Sequence, residues 1–110
     1  FESLEHVEKD QLLFSRMVKS TKNGGLIFVS IPNDTHHSLK KNPHIFHFRH
    51  YKHEEFLSAF QGDLELIDWY GQNVYVFEDG ICSHKLLSDE EMQPTKKTEG
   101  QVNIYVFKKQ

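Results

Sequence analysis

The feature that most constrains this chain is the stretch Asn23-Gly24-Gly25-Leu26-Ile27-Phe28-Val29-Ser30-Ile31-Pro32-Asn33. An apolar run bounded by a glycine pair and by Pro-Asn, without in-out alternation, predicts a strand buried on both faces and covered by helices. That pattern calls for an α/β sheet. At 110 residues the chain is one domain or less. Its formal charge of −3 gives no broad positive field, so neither nucleic acid nor an anionic membrane is an expected partner. The single cysteine, Cys82, excludes an intramolecular disulfide framework and a four-cysteine zinc site, and fits a reducing, cytoplasmic setting. No apolar run approaches a membrane span, and the amino end lacks a signal pattern.

Around that strand the elements fall in order. Leu13, Phe14, Met17 and Val18 share one face of a helix predicted over residues 8–21, with acidic residues at its start, lysines at its end and Asn23-Gly24-Gly25 as a left-handed stop. A polar loop follows from Asp34 to Pro43, and then His44-Ile45-Phe46-His47-Phe48-Arg49-His50-Tyr51, dense in histidines and aromatics. A short helix over about residues 53–60 carries Phe56, Leu57 and Phe60 on its apolar face. Leu64 to Tyr70 reads as a second, less uniformly buried strand, and Val74 to Phe77 as its continuation or a new short strand. Residues 78–100 read as a polar excursion with one helical turn near Ser88 to Met92. Val102 to Phe107 alternates as a final strand. A sheet of three strands and about two helices is only marginal alone, with an open edge beside the first strand.

Four matches in this order resemble the carboxyl-terminal half of a class I S-adenosylmethionine-dependent methyltransferase. Leu4-Glu5-His6-Val7 resembles the motif after the family's fourth strand. Lys22-Asn23-Gly24-Gly25-Leu26 with Ser30-Ile31-Pro32-Asn33 resembles the turn and fifth strand. His44 to Tyr51 with Glu54-Glu55-Phe56 resembles the stretch leading into the next helix, and Leu64–Gly71 and Val102–Phe107 fit the last two strands. The resemblance implies a partial Rossmann-like fold: the last three strands and about two helices of a seven-stranded sheet, the terminal strand antiparallel. The family's glycine-rich turn and the acidic residue that holds the cofactor's ribose have no counterpart here. Without that turn the chain alone is expected to be inactive, and because it begins at Phe1, inside a motif, it is expected to be a fragment or a processed product.

The resemblance further implies S-adenosylmethionine as cofactor in the intact enzyme, with Phe1, Glu2, Ser3 and Leu4 beside it and Asn33, His36 and His44 facing a small-molecule, glycan or lipid-precursor acceptor. Methyl transfer to a poor nucleophile needs a base, for which His6 is the first candidate and His47 the second. A plainer role for Glu5-His6 is to cap the first helix. The spacing of the remaining histidines does not by itself make a metal site. Glu2-x-x-Glu5-His6 with His47 does, however, resemble the metal cluster of small-RNA 3′-end ribose methyltransferases, a set able to bind a divalent cation. Lys40, Lys41, His36, His37, Arg49 and Lys52 offer a basic patch for a phosphate-bearing acceptor, or simply a solvated loop. The alternative from another class is a stand-alone interaction domain that forms a homodimer through its open sheet edge.

Overall fold

The computed structural model describes residues 4–43 and 47–110. It is an α/β domain with two helices and a mostly antiparallel sheet. After a single 3-10 turn, Leu4–His6, come α1 (Asp10–Ser20), β1 (Leu26–Pro32), α2 (His53–Phe60), β2 (Glu65–Gln72), β3 (Tyr75–Glu78), β4 (Ile81–Leu86), β5 (Thr95–Lys96) and β6 (Val102–Lys108). The main sheet has the order β1-β6-β2-β5, and β3-β4 form a separate two-stranded sheet. The terminal strand, β6, lies between β1 and β2 and is antiparallel to both. Gly24, at φ 80°, supplies the left-handed residue of the turn from α1 into β1.

Both helices cover one face of the sheet. Ile27, Val29 and Ile31 of β1 stand opposite Phe107, Tyr105 and Asn103 of β6, so all six share that face. Phe14 of α1 meets Phe60 of α2 edge-on at 5.2 Å and Phe107 at 6.2 Å, while Phe56 of α2 stacks on Tyr105 at 4.7 Å. Phe56, Tyr105 and Phe107 are fully buried, and each such aromatic contributes about 1.5–3 kcal/mol by leaving water. A bulge at Ile67 shifts the β2 register between Leu66 and Asp68, which lets both Leu66 and Trp69 face this core.

Burial of β1 on both faces is not what forms. Its residues alternate, with Leu26 and Phe28 about half exposed between the buried Ile27, Val29 and Ile31. The apolar run misleads because both helices lie on the same side, as their shared contact with Phe107 requires.

The excursion also differs from expectation. Val74 to Phe77 begins a new hairpin: Asp79 and Gly80 take φ 51° and 79°, the two positive values of a type I′ turn, and close β3 on β4. Ser88 to Met92 forms only a turn, with a Met92 N–H to Ser88 carbonyl bond of 3.0 Å and no helix.

Candidate functional site

The end of β1 organises the histidine-rich loops. The Asn33 backbone N–H donates to the Gln101 carbonyl, and the Tyr51 N–H and Asp34 N–H bond across to the Pro32 and Tyr51 carbonyls, a short parallel bridge. The Asn33 side chain is fully buried: its amide donates to the Gly100 carbonyl at 2.9 Å and to Glu99 Oε1 at 3.1 Å, and its oxygen accepts from Thr35 N–H. Asn33 thus holds the loop in place with all its polar groups engaged. The Phe48 N–H donates to the Glu5 carbonyl at 2.7 Å, bringing the segment after β1 against the 3-10 turn.

That backbone bond brings the two predicted catalytic histidines together. His6 and His47, remote in sequence, meet edge-on with ring centroids 4.5 Å apart. Glu5, only 1% exposed, directs Oε1 to within 3.4 Å of His6 Nε2. The helix-capping role read for Glu5-His6 does not form, because α1 starts only at Asp10, whose own carboxylate accepts from the Gln11 N–H.

His50 completes the arrangement. It is buried, and its Nδ1 lies 2.7 Å from the His37 carbonyl. A carbonyl only accepts, so this nitrogen carries a hydrogen. In the neutral ring, His50 Nε2 is then an acceptor, and its neighbour at 2.8 Å, His47 Nδ1, is the donor. Hydrogen-bond logic therefore assigns His47 the Nδ1–H tautomer, with its lone pair on Nε2. The chain His37 carbonyl, His50, His47 is the orienting arrangement a general base needs.

Two cavities meet at this point. One, of about 280 Å³, is bordered by Glu5, His6, Pro32 and Val102; the other, of about 530 Å³, opens between the 34–43 loop and the β3-β4 hairpin. His37, His47 and Tyr75 line both. The hairpin is latched to the loop by Asn42, whose side chain donates to the Gly80 carbonyl at 3.0 Å and accepts from the Cys82 N–H at 2.7 Å. Gln101 holds the other end of the hairpin, accepting from the Val74 and Tyr75 N–H groups and donating to the Tyr75 carbonyl.

Of the remaining predicted residues, Leu4 is buried in the core at 1% exposure and His36 is exposed on the loop. Phe1, Glu2, Ser3 and His44 lie outside the described residues. The basic patch divides: Lys41 and His37 border the larger cavity, whereas Arg49 turns away to the Val7 and Glu8 carbonyls and pairs with Asp10 at 3.1 Å. Asp10 also accepts from the Tyr51 hydroxyl, and burial followed by that bond pushes the phenol well above its ordinary range. Sequence reasoning missed His50, Asn42 and the hairpin wall. For the hairpin a signal existed, Asp79-Gly80 between two β-rich runs. Among the described residues, no helix is long and apolar enough to cross a membrane.

Three comparisons were made, with protein-family models, with curated proteins and with solved structures, and none found a match.

Proposed function

We propose that this chain is the acceptor-side half of a class I, Rossmann-like S-adenosylmethionine-dependent methyltransferase acting on a small molecule or a glycan or lipid precursor. The observation that carries the reading is the meeting of His6 and His47 at 4.5 Å beside the carboxyl end of β1, where the resemblance expects the acceptor. The strand order around an antiparallel terminal strand supports the same reading. S-adenosylmethionine supplies an activated methyl group. Leu4, the one described member of the expected donor-side set, is enclosed in the core.

Within this chain the chemistry is proton removal. His47, whose ring is oriented by His50, is the base for an acceptor hydroxyl or amine, and His6, whose Nε2 faces the Glu5 carboxylate, is its neighbour. This reverses the order in which the sequence ranked the two. The test is methyl transfer from labelled S-adenosylmethionine by the product of the complete reading frame. Transfer that falls about a hundredfold in His47→Ala, within the usual range for loss of a general base, supports the reading. A product that neither binds the donor nor transfers methyl overturns it.

A second reading has its own observation. Donor atoms of Glu5, His6 and His47 all lie within 4.8 Å of one another. One carboxylate and two imidazoles suit a divalent transition ion, which such groups bind at about 2.1 Å. Such an ion would hold the hydroxyls of a ribose acceptor, as in the small-RNA methyltransferases whose motif this resembles. Manganese titration watched at the His6 and His47 ring signals distinguishes the readings: broadening lost in Glu5→Ala supports the metal, and unchanged spectra remove it.

A further inference from the structure

The larger cavity has a chemistry that the proposed base does not use. Of its described lining residues none is a carboxylate, although the chain as a whole carries a formal charge of −3. Lys41 borders it, and among the described residues no carboxylate lies within 4.0 Å of its ammonium group. Its Cδ and Nζ lie over Gly80, each 3.0 Å from where a Cβ would stand, so the glycine of the hairpin turn makes room for this lysine.

On the opposite wall the hairpin is distorted in favour of His84. Tyr75 pairs with Leu86 but Phe77 with Cys82, so three residues of β4 (Ser83, His84 and Lys85) lie opposite one of β3, Val76. Within that bulge His84 takes φ 61°, a left-handed conformation that residues with a side chain seldom adopt. Bulges of this kind re-aim side chains next to sites, and His84 borders the cavity with its ring 6.0 Å from that of Tyr75. Tyr75 and Ile81 add apolar surface beside the two basic groups. The volume, about 530 Å³, is that of a small-ligand pocket.

We propose that the cleft between the 34–43 loop and the β3-β4 hairpin binds the phosphomonoester group of a small organic acceptor. Lys41 is the charge partner, His84 a hydrogen-bond donor, and Tyr75 with Ile81 the surface for the organic part. The assignment of this ligand as acceptor rests on the methyl-transfer reading; its binding does not.

The test is therefore made without a methyl donor, by titrating phenyl phosphate and inorganic phosphate into the isotopically labelled chain and following its amide spectrum. Phenyl phosphate is expected to shift the amides of Asn42 and residues 80–84 and to bind more tightly than inorganic phosphate. Lys41→Gln should weaken it roughly tenfold, the loss of one charge-assisted hydrogen bond. Lys85→Gln, on the same hairpin but outside the cavity lining, should change it less than about twofold. Equal loss in both variants, no shifts at millimolar ligand, or equal binding of a dinucleotide phosphodiester overturns the proposal. Its failure leaves methyl transfer to an uncharged acceptor standing, and phosphate binding without methyl transfer by the complete product removes the enzyme reading alone. An unchanged amide spectrum elsewhere in Lys41→Gln shows that the fold survives.

Discussion

His53 and His47 stand close together in the sequence and in opposite surroundings. His53 opens α2 against the helix-covered face of the sheet, its Nδ1 2.8 Å from the Tyr105 hydroxyl and its ring 4.0 Å from that of Trp69. It satisfies a buried phenol and fills space. His47 lies where loops meet, touching His6 and His50 and bordering two cavities. The first histidine is held by packing; the second is aimed by a hydrogen-bond relay. Residue type cannot separate such roles, but the elements that carry the partners can.

The largest expected effect belongs to the packed region. Phe56→Ala removes a fully buried ring that stacks on Tyr105 and Phe60, and should lower the free energy of unfolding by about 3–5 kcal/mol in urea. A direct contrast follows. His53→Ala and His47→Ala should each cost about 1–3 kcal/mol, because the buried Tyr105 hydroxyl and the buried His50 Nε2 each lose a hydrogen-bond partner, but only His47→Ala should lower methyl transfer. Equal losses of activity would erase the distinction between the two regions.

Smaller effects concern the hairpin. Asn42→Ala should speed hydrogen exchange at Cys82 N–H about tenfold or more while leaving global stability within about 1 kcal/mol, since it unlatches one wall of the cleft and no core residue. Least of all is the tether of β5 to β2. The Asp68 carboxyl is held below its ordinary value, first by the hydrogen bond from Lys96, against a weaker opposing pull of burial. Its contribution is present above the unfolded carboxyl pKa of about 3.9 and disappears as pH falls through the lower folded value. A thermal scan series between pH 5 and 2 should show a slightly shallower acid decline in Asp68→Asn.

Much of the scaffold was legible. The apolar spacing of Phe56, Leu57 and Phe60 marked α2 at its true bounds, and the alternation of Val102 to Phe107 marked β6. The apolar run of β1 was legible as a strand but not its one-sided burial, because periodicity cannot say on which side helices will settle. The hairpin was readable from Asp79-Gly80 and was obscured by the polarity of Ser83, His84 and Lys85. His6 and His47 could be nominated one by one. Their meeting depends on the Phe48 to Glu5 backbone bond, and the role of His50 on a bond to a backbone carbonyl, neither of which has a sequence signature.

The histidine relay is tested most directly by the tautomers of its rings. Long-range proton–nitrogen correlation spectra of the nitrogen-labelled chain, recorded above the histidine titration range, should show both His47 and His50 protonated at Nδ1, with His47 Nε2 carrying the lone pair. A His47 ring protonated at Nε2, or one averaging between tautomers like a histidine in solution, would contradict the relay and with it the assignment of His47 as the oriented base.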